Sequence, residues 1–254
     1  MNSEFNHNLP KDIPPLAGNT ELQSCKQIVS LIAHEMRNPL AIISSNLQLL
    51  KSGRYQLEDT IIEDSFFLCE EAIRSMSEFI GEICFLNNVF KSRLKVSFET
   101  VELNTLLANA LAVCAPSEFN RNRIKIEKQN GLETVYTDSD LLRRIVIQLV
   151  RNALDFSSGT VHIKIEIADN EFVIQVVDQG IGIPDNEKHL IFEPFVRCSN
   201  VKMASGSGTG LTIVKACVEL LRGRIDFESV LNQGTRFTVK ISIHEFEKGI
   251  DNRR

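Results

Sequence analysis

Residues 28–50 read IVSLIAHEMRNPLAIISSNLQLL, and the spacing of their apolar side chains decides the first half of the fold. Ile28, Ile32, Met36, Leu40, Ile43, Leu47 and Leu50 recur every three or four residues, the interval that places side chains on one face of an α-helix. The spacing predicts a helix from about Leu22 to Ser52-Gly53. His34 points roughly 180° away from the mean direction of that face, since each residue advances about 100°, so it is expected to meet solvent. Asn38 lies one turn further on nearly the same side and Glu35 is adjacent around the helix, a cluster suited to proton and phosphoryl transfer.

A second helix is expected from about Glu58. Ile62, Cys69, Met76, Ile83 and Phe90 recur every seventh residue, with Phe66, Ile73 and Ile80 interleaved, which is a coiled-coil seam. Two long helices joined by a short turn form an antiparallel hairpin that leaves much of its seam exposed. Pairing two hairpins into a dimeric four-helix bundle hides it, so a homodimer is expected.

Beyond about Lys91 the periodicity changes. Arg123 to Glu127 alternates, Asp138 to Phe156 reads as a helix, and Val161, Ile163, Ile165 and Ile167 alternate with polar residues before a turn at Asp169-Asn170. A strand over Phe172–Val177, a helix over Thr209–Leu221 and strands near Arg224–Phe227 and Arg236–Ile243 complete an α+β sandwich, one sheet covered by helices. The expected organisation is an N-terminal arm over 1–21, the hairpin over 22–91, an α+β domain over 92–246 and a tail over 247–254.

Composition narrows the function classes. Of 254 residues, 43% are hydrophobic and 24% charged, with a net charge of -5, which suits a globular chain and offers no basic footprint for nucleic acid. The six cysteines form no CxxC or Cys/His metal spacing and read as buried free thiols in a reducing cytoplasm. No stretch of about 18 apolar residues and no signal peptide appears, so no membrane span and a cytoplasmic location are expected. Any sensory input would then arrive through a partner or through a segment outside this sequence.

A neutral imidazole is a nucleophile near pH 7, and a neighbouring carboxylate such as Glu35 can hold one ring N–H while the other nitrogen attacks. Pro39 removes one helix hydrogen bond and crowds the Glu35 carbonyl, which predicts a bend just beyond the histidine. Taken alone, His34 is also what an ordinary surface histidine beside a glutamate looks like. The seven residues His34-Glu35-Met36-Arg37-Asn38-Pro39-Leu40 decide the matter, because they resemble the phosphoacceptor motif of sensor histidine kinases, H-E-[LM]-R-[NT]-P-L, at every position.

Three later segments follow the order of that family's nucleotide boxes. Gln148 to Ser157 resembles the N box, Asp178-Gln179-Gly180-Ile181-Gly182 the D-x-G-x-G box, and Gly206-Ser207-Gly208-Thr209-Gly210 the last glycine box. Ile191 to Arg197 is similar to the F box, with Phe192 and Phe195 read as packing groups. The resemblance implies a dimerisation and phosphoacceptor hairpin followed by a Bergerat ATP-binding fold. It implies ATP as phosphoryl donor and Mg2+ held by the Asn152 amide oxygen, a hard ligand for a hard cation. It assigns Asp178 to the adenine amino group, Phe156 to stacking on adenine, and Asn38 to orienting water. Glycine-rich backbone at a helix start, at Gly206, Gly208 and Gly210, suits triphosphate oxygens, whereas Gly180 and Gly182 permit tight backbone turns close to a ligand. The segment from Cys198 to Ser205 reads as a lid. The implied partner is a response regulator whose receiver aspartate takes the phosphoryl group from His34.

Four positions depart from the pattern. Gln148 stands where a first asparagine is usual, Asp155 where a lysine often meets phosphates, Phe156 for tyrosine and Thr209 for leucine. A carboxylate at 155 repels a triphosphate unless a metal or basic group intervenes, and Arg197 is the candidate for supplying that charge. The alternative is a catalytically weak dimeric phosphotransfer or adaptor protein with a degenerate ATP site.

Overall fold

The computed structural model describes residues 18–52, 58–201 and 207–243, with side chains from residue 32 onward. The arm over 1–17, the turn over 53–57, the stretch 202–206 with Gly206, and the tail over 244–254 lie outside the described residues. The chain divides into two compact units between Met76 and Ser77.

The first unit is built from α1, Gly18–Lys51, and the start of α2, Asp59–Phe90. α1 begins four residues before Leu22, inside the stretch read as an arm, and it runs through Pro39 without a break in the helix. Its half-buried line is Ile32, Met36, Pro39, Ile43, Asn46 and Leu50, so Leu40 and Leu47, placed on the apolar face by spacing, are exposed instead.

The heptad seam of α2 turns out to be double. Ser65, Cys69, Ala72 and Phe79 are buried along it, and Ile62, Met76 and Ile83 are half-buried. The interleaved positions Phe66, Ile73 and Ile80 are 56%, 55% and 50% exposed. As far as Ile83 one set of heptad positions thus faces inward, whereas Phe90, the last of that set, is 61% exposed; the neighbouring set around the helix carries apolar side chains into solvent, an arrangement that costs free energy in an isolated helix.

The second unit starts within α2, because Phe85 and Leu86 belong to its core. The sequence boundary near Lys91 marks the end of the helix, whereas the packing boundary lies earlier. A two-stranded ribbon pairs β1, Glu99–Glu102, antiparallel with β3, Thr134–Thr137. Between them lie α3, Leu103–Cys114, the short α4, Glu118–Asn122, and β2, Ile124–Lys128. None of β1, α3, α4 and β3 is signalled by the periodicity read above.

The main sheet has the order β2-β4-β5-β7-β6, with β4 at Val161–Ala168, β5 at Glu171–Asp178, β6 at Arg224–Val230 and β7 at Gly234–Ser242. β2 runs parallel to β4 and the other pairs are antiparallel. Asp169 and Asn170 both adopt left-handed backbone, at φ 53 and 60, as a two-residue hairpin between right-twisted strands requires. Val161, Ile163 and Ile165 of β4 enter the core with Phe172, Ile174 and Val176 of β5, and Lys164 stays exposed, the alternation expected of a sheet covered on one side.

Helices α3, α5 (Ser139–Phe156) and α6 (Gly210–Leu220) share this core. α5 is amphipathic, burying Leu142, Ile145, Val146, Leu149, Val150 and Ala153. Its first turn is capped by Asp138, which accepts N–H bonds from Asp140 at 3.1 Å, Leu141 at 3.0 Å and Ser97 at 2.8 Å. At the other end Arg123 donates to the carbonyls of Ser157 and, at 3.1 Å, Gly159, serving carbonyls that follow the last turn. Cys69, Cys114 and Cys217 are buried free thiols, but Cys84 is exposed and Cys198 half-buried, so the expectation of uniformly buried cysteines is corrected. Cys84 has an outward position on α2 between the half-buried Ile83 and the buried Phe85.

Candidate phosphoacceptor and nucleotide sites

His34 sits in the middle of α1 with its side chain 61% exposed. Glu35 Oε1 lies 3.5 Å from His34 Nδ1, and the Glu35 side chain is largely covered, at 20% exposure. That distance is beyond a normal N–H···O bond but within reach of a small side-chain rotation, and catalytic contacts commonly tighten only when substrate is bound. Asn38, one turn on, is exposed. The arrangement leaves Nε2, the ring nitrogen away from Glu35, as the atom available for attack.

In the second unit, three segments distant in sequence converge. The end of α5 brings Gln148, Asn152, Asp155 and Phe156; the turn after β5 brings Asp178, Gly180 and Gly182; the start of α6 brings Gly208 and Gly210. Asp178 is buried, and its Oδ1 accepts the Gly180 N–H at 2.8 Å. Burial raises the Asp178 carboxyl above the usual aspartate range, opposed by backbone N–H bonds from Gly180 and Thr235. Asp178 thus carries a poorly solvated acceptor.

The turn is pinned to both neighbours. The Ile181 N–H donates to the Phe156 carbonyl at 3.1 Å, and the Asn232 N–H to the Ile181 carbonyl at 2.8 Å. A Cβ at Gly180 would stand 2.2 Å from the Phe156 oxygen, so no side chain fits there. Ser229 Oγ accepts the Ile183 N–H at 2.9 Å and closes the loop from the β6 side. Gly182 and Gly208 lie at φ +63 and +71.

The glycine box meets the N box at Gly210, where a Cβ would be 2.8 Å from Gln148 Oε1 and 3.8 Å from Asn152 Oδ1. Asn152 is half-buried there. A neutral amide oxygen at this place fits Mg2+, which keeps several waters and takes phosphate oxygens for its remaining ligands. The F box is joined to the glycine box by the Phe195 N–H to Gly208 carbonyl bond at 2.9 Å. Phe195 itself has φ 66, a strained value for an aromatic residue. Phe192 packs edge-on against Phe227, ring centres 5.9 Å apart. Arg197 is exposed and Phe156 half-buried.

Asp155 is exposed as a residue, yet the chain around its carboxyl removes enough water to raise it above the ordinary range, while Arg151 and Arg123 pull it back. Basic groups therefore do stand beside this departure. Arg151 is also paired with Glu78 at 3.0 Å.

Sequence reading gave no role at this site to the last turns of α2. Glu78 meets Arg151, Glu82 meets Gln148 at 2.8 Å, and Phe85 lies under Arg144 with the guanidinium 4.5 Å from the ring centre. The ascending numbers on α2 pair with descending numbers on α5, an antiparallel ladder of side chains. Glu82 belongs to no motif, and the only signal for it is the common helix face of 78, 82 and 85, which means nothing until α5 lies alongside.

Comparison with known proteins decides the family. Residues 26–88 match the model of the His Kinase A (phospho-acceptor) domain, and residues 137–245 that of the histidine kinase-, DNA gyrase B- and HSP90-like ATPases. The chain belongs to the sensor histidine kinases. This histidine kinase chain is 28% identical over 232 residues to the autoinducer 2 sensor kinase/phosphatase LuxQ of Vibrio cholerae, covering 87% of this chain and 27% of LuxQ. It is 26% identical over 232 residues to the sensor protein kinase WalK of Staphylococcus saprophyticus, covering 88% of this chain and 37% of WalK. The chain thus spans well under half the length of these two relatives. The Acinetobacter baumannii histidine kinase AdeS shares the fold, with a TM-score of 0.63 at 21% identity over 83% of this chain and 98% of that one. Among the described residues, no helix of the histidine kinase is long and apolar enough to cross a membrane.

Proposed function

We propose that this chain is an ATP-dependent protein-histidine kinase that phosphorylates His34 and passes the phosphoryl group to the receiver aspartate of a response regulator. The observation that carries the reading is the union, in one chain, of an exposed His34 with a carboxylate at its Nδ1 and a glycine-framed site holding the buried Asp178.

In the proposed step, Glu35 holds the Nδ1–H and the Nε2 lone pair attacks the γ-phosphorus. The N–P bond forms as the bond from phosphorus to the bridging oxygen breaks, and ADP leaves with that electron pair. Glu35 balances the positive charge that develops on the ring. Asp178 accepts the adenine amino N–H, Phe156 stacks on the base, and the backbone at Gly206, Gly208 and Gly210 receives phosphate oxygens together with Arg197. Gly180 and Gly182 keep the turn low beneath the base. Mg2+, held by Asn152, would neutralise phosphate charge.

Asn38 orients water when the same core removes the phosphoryl group from the regulator, a second activity in keeping with the kinase/phosphatase named among the relatives. The exposed line Phe66, Ile73 and Ile80 supports a homodimer, and a requirement for ATP supports action in the cytoplasm. Incubation with γ-labelled ATP and Mg2+ tests the reading. Acid-labile, alkali-stable label on wild type and none on His34→Ala is the expected result; no label with any divalent metal would shift the assignment to a noncatalytic adaptor.

A further inference from the structure

Two of the four departures from the family's boxes, Gln148 and Thr209, converge on one carboxylate. Gln148 Nε2 donates to Glu82 Oε1 at 2.8 Å, and Glu82 Oε2 accepts from Thr209 Oγ1 at 2.5 Å and Ser207 Oγ at 3.1 Å. Asparagine at 148 is one methylene shorter, and leucine at 209 has no donor. The residues that differ are therefore those that hold Glu82. Thr209 is fully buried, and its neighbour Ser207 is half-buried with the two hydroxyls side by side.

Glu82 thus places a negative group at the start of α6, within the glycine box. Its partners are the hydroxyl and amide donors that phosphate oxygens would seek there, and the helix terminus already favours an anion. The ladder from Glu78 to Phe85 holds the carboxylate in place from the α2 side. A triphosphate entering this end meets a like charge in a partly buried setting, where repulsion is poorly screened.

We propose that Glu82 is an internal competitor of the nucleotide's phosphates: it occupies the phosphate end of the site, and ATP binds by displacing it. The proposal rests on the ATP reading given above. It makes the site self-restrained toward triphosphates and indifferent to the nucleoside alone.

Calorimetric titration of the whole chain with ATP plus Mg2+ and, separately, with adenosine tests it on wild type, Glu82→Gln and Thr209→Val. Gln fills the same space and still pairs with its neighbours, and Val keeps the shape of Thr without the donor. Expected is a gain in ATP affinity of about 5- to 100-fold in Glu82→Gln, a gain in the same direction in Thr209→Val, and adenosine affinity equal in all three. If wild type binds ATP and the variants bind it no more tightly, or if adenosine affinity rises as much as ATP affinity, the competition is refuted while the ATP reading stands. Failure of ATP and adenosine to bind any of the three proteins removes the ATP reading and the competitor with it.

Discussion

The Phe156 carbonyl at the end of α5 accepts the Ile181 N–H at 3.1 Å, so the helix that carries Asn152 and the turn that carries Asp178 are one hydrogen-bonded unit. Gly180 makes this approach possible, since a Cβ there would lie 2.2 Å from the same oxygen. Gly180→Ala is expected to lower stability by about 1–3 kcal/mol, the usual cost of forcing extra atoms into a packed site, and to weaken ATP binding further. Urea unfolding and titration with ATP read the two effects separately.

Asp178 gives a prediction in pH. Burial raises its pKa in the folded state, so the stability linked to this group is complete below the unfolded value and is lost as pH rises through the folded one. The ionised carboxylate costs stability at neutral pH but is the form that the proposed function requires to accept the adenine N–H. Asp178→Asn, which keeps one acceptor oxygen for Gly180, is therefore expected to melt at or above the wild-type temperature at pH 7.5 while binding ATP about tenfold or more weakly. Wild-type affinity is expected to fall with decreasing pH from a higher pH than an exposed aspartate would give, and the variant to lack that limb.

Glu35 lies 3.5 Å from His34 Nδ1, the nitrogen through which the proposed step has it act. Glu35→Gln is expected to slow autophosphorylation by about 10²–10⁴-fold, the span of general acid–base effects, with ATP affinity unchanged. Rapid-quench measurement of phosphohistidine formation checks the rate. An equal loss in nucleotide affinity would mean the variant disturbs more than the acceptor.

Ile73 is 55% exposed on the outward line of α2, with Phe66 and Ile80 one heptad away on either side. A charge there meets solvent in a monomer and a partner's apolar seam in a dimer. Ile73→Asp is expected to leave a monomer folded but to shift the oligomer toward it, as read by light scattering over a concentration series. A wild type that is monomeric at every concentration would remove the dimer.

The cysteines differ in reactivity by burial. Desolvation pushes Cys217 up to about 12 and Cys114 up to about 11, while Cys84 is exposed. In native protein a thiolate-directed reagent is expected to label Cys84 within minutes and Cys114 and Cys217 only upon unfolding, with peptide mapping as the measurement.

The elements that announce themselves in the sequence are those whose side-chain period is long or repeated. α5 shows its helical stripe over eighteen residues, and β4 alternates cleanly because one sheet face is covered. The ribbon of β1 and β3 has four residues in each strand, too few for a period to stand out, and α3 begins directly where β1 ends, with Glu102 as both last strand residue and N-cap. The glycine boxes are legible because close backbone approaches tolerate no Cβ. Glu82 is not, because a carboxylate on a helix carries no local mark of the donors that the chain brings to it from 66 to 127 residues further on.

The division between compact units inside α2 also bears on how this protein can be taken apart. The last turns of that helix are continuous with the hairpin in sequence but owe their burial to the core of the following unit, through Phe85 and Leu86. A fragment starting where the helix ends would therefore be short of core residues and would lose Glu82 as well. A graft or excision that respects the physics has to cut near residue 76, in mid-helix, and carry the final turns of α2 along as part of the second unit.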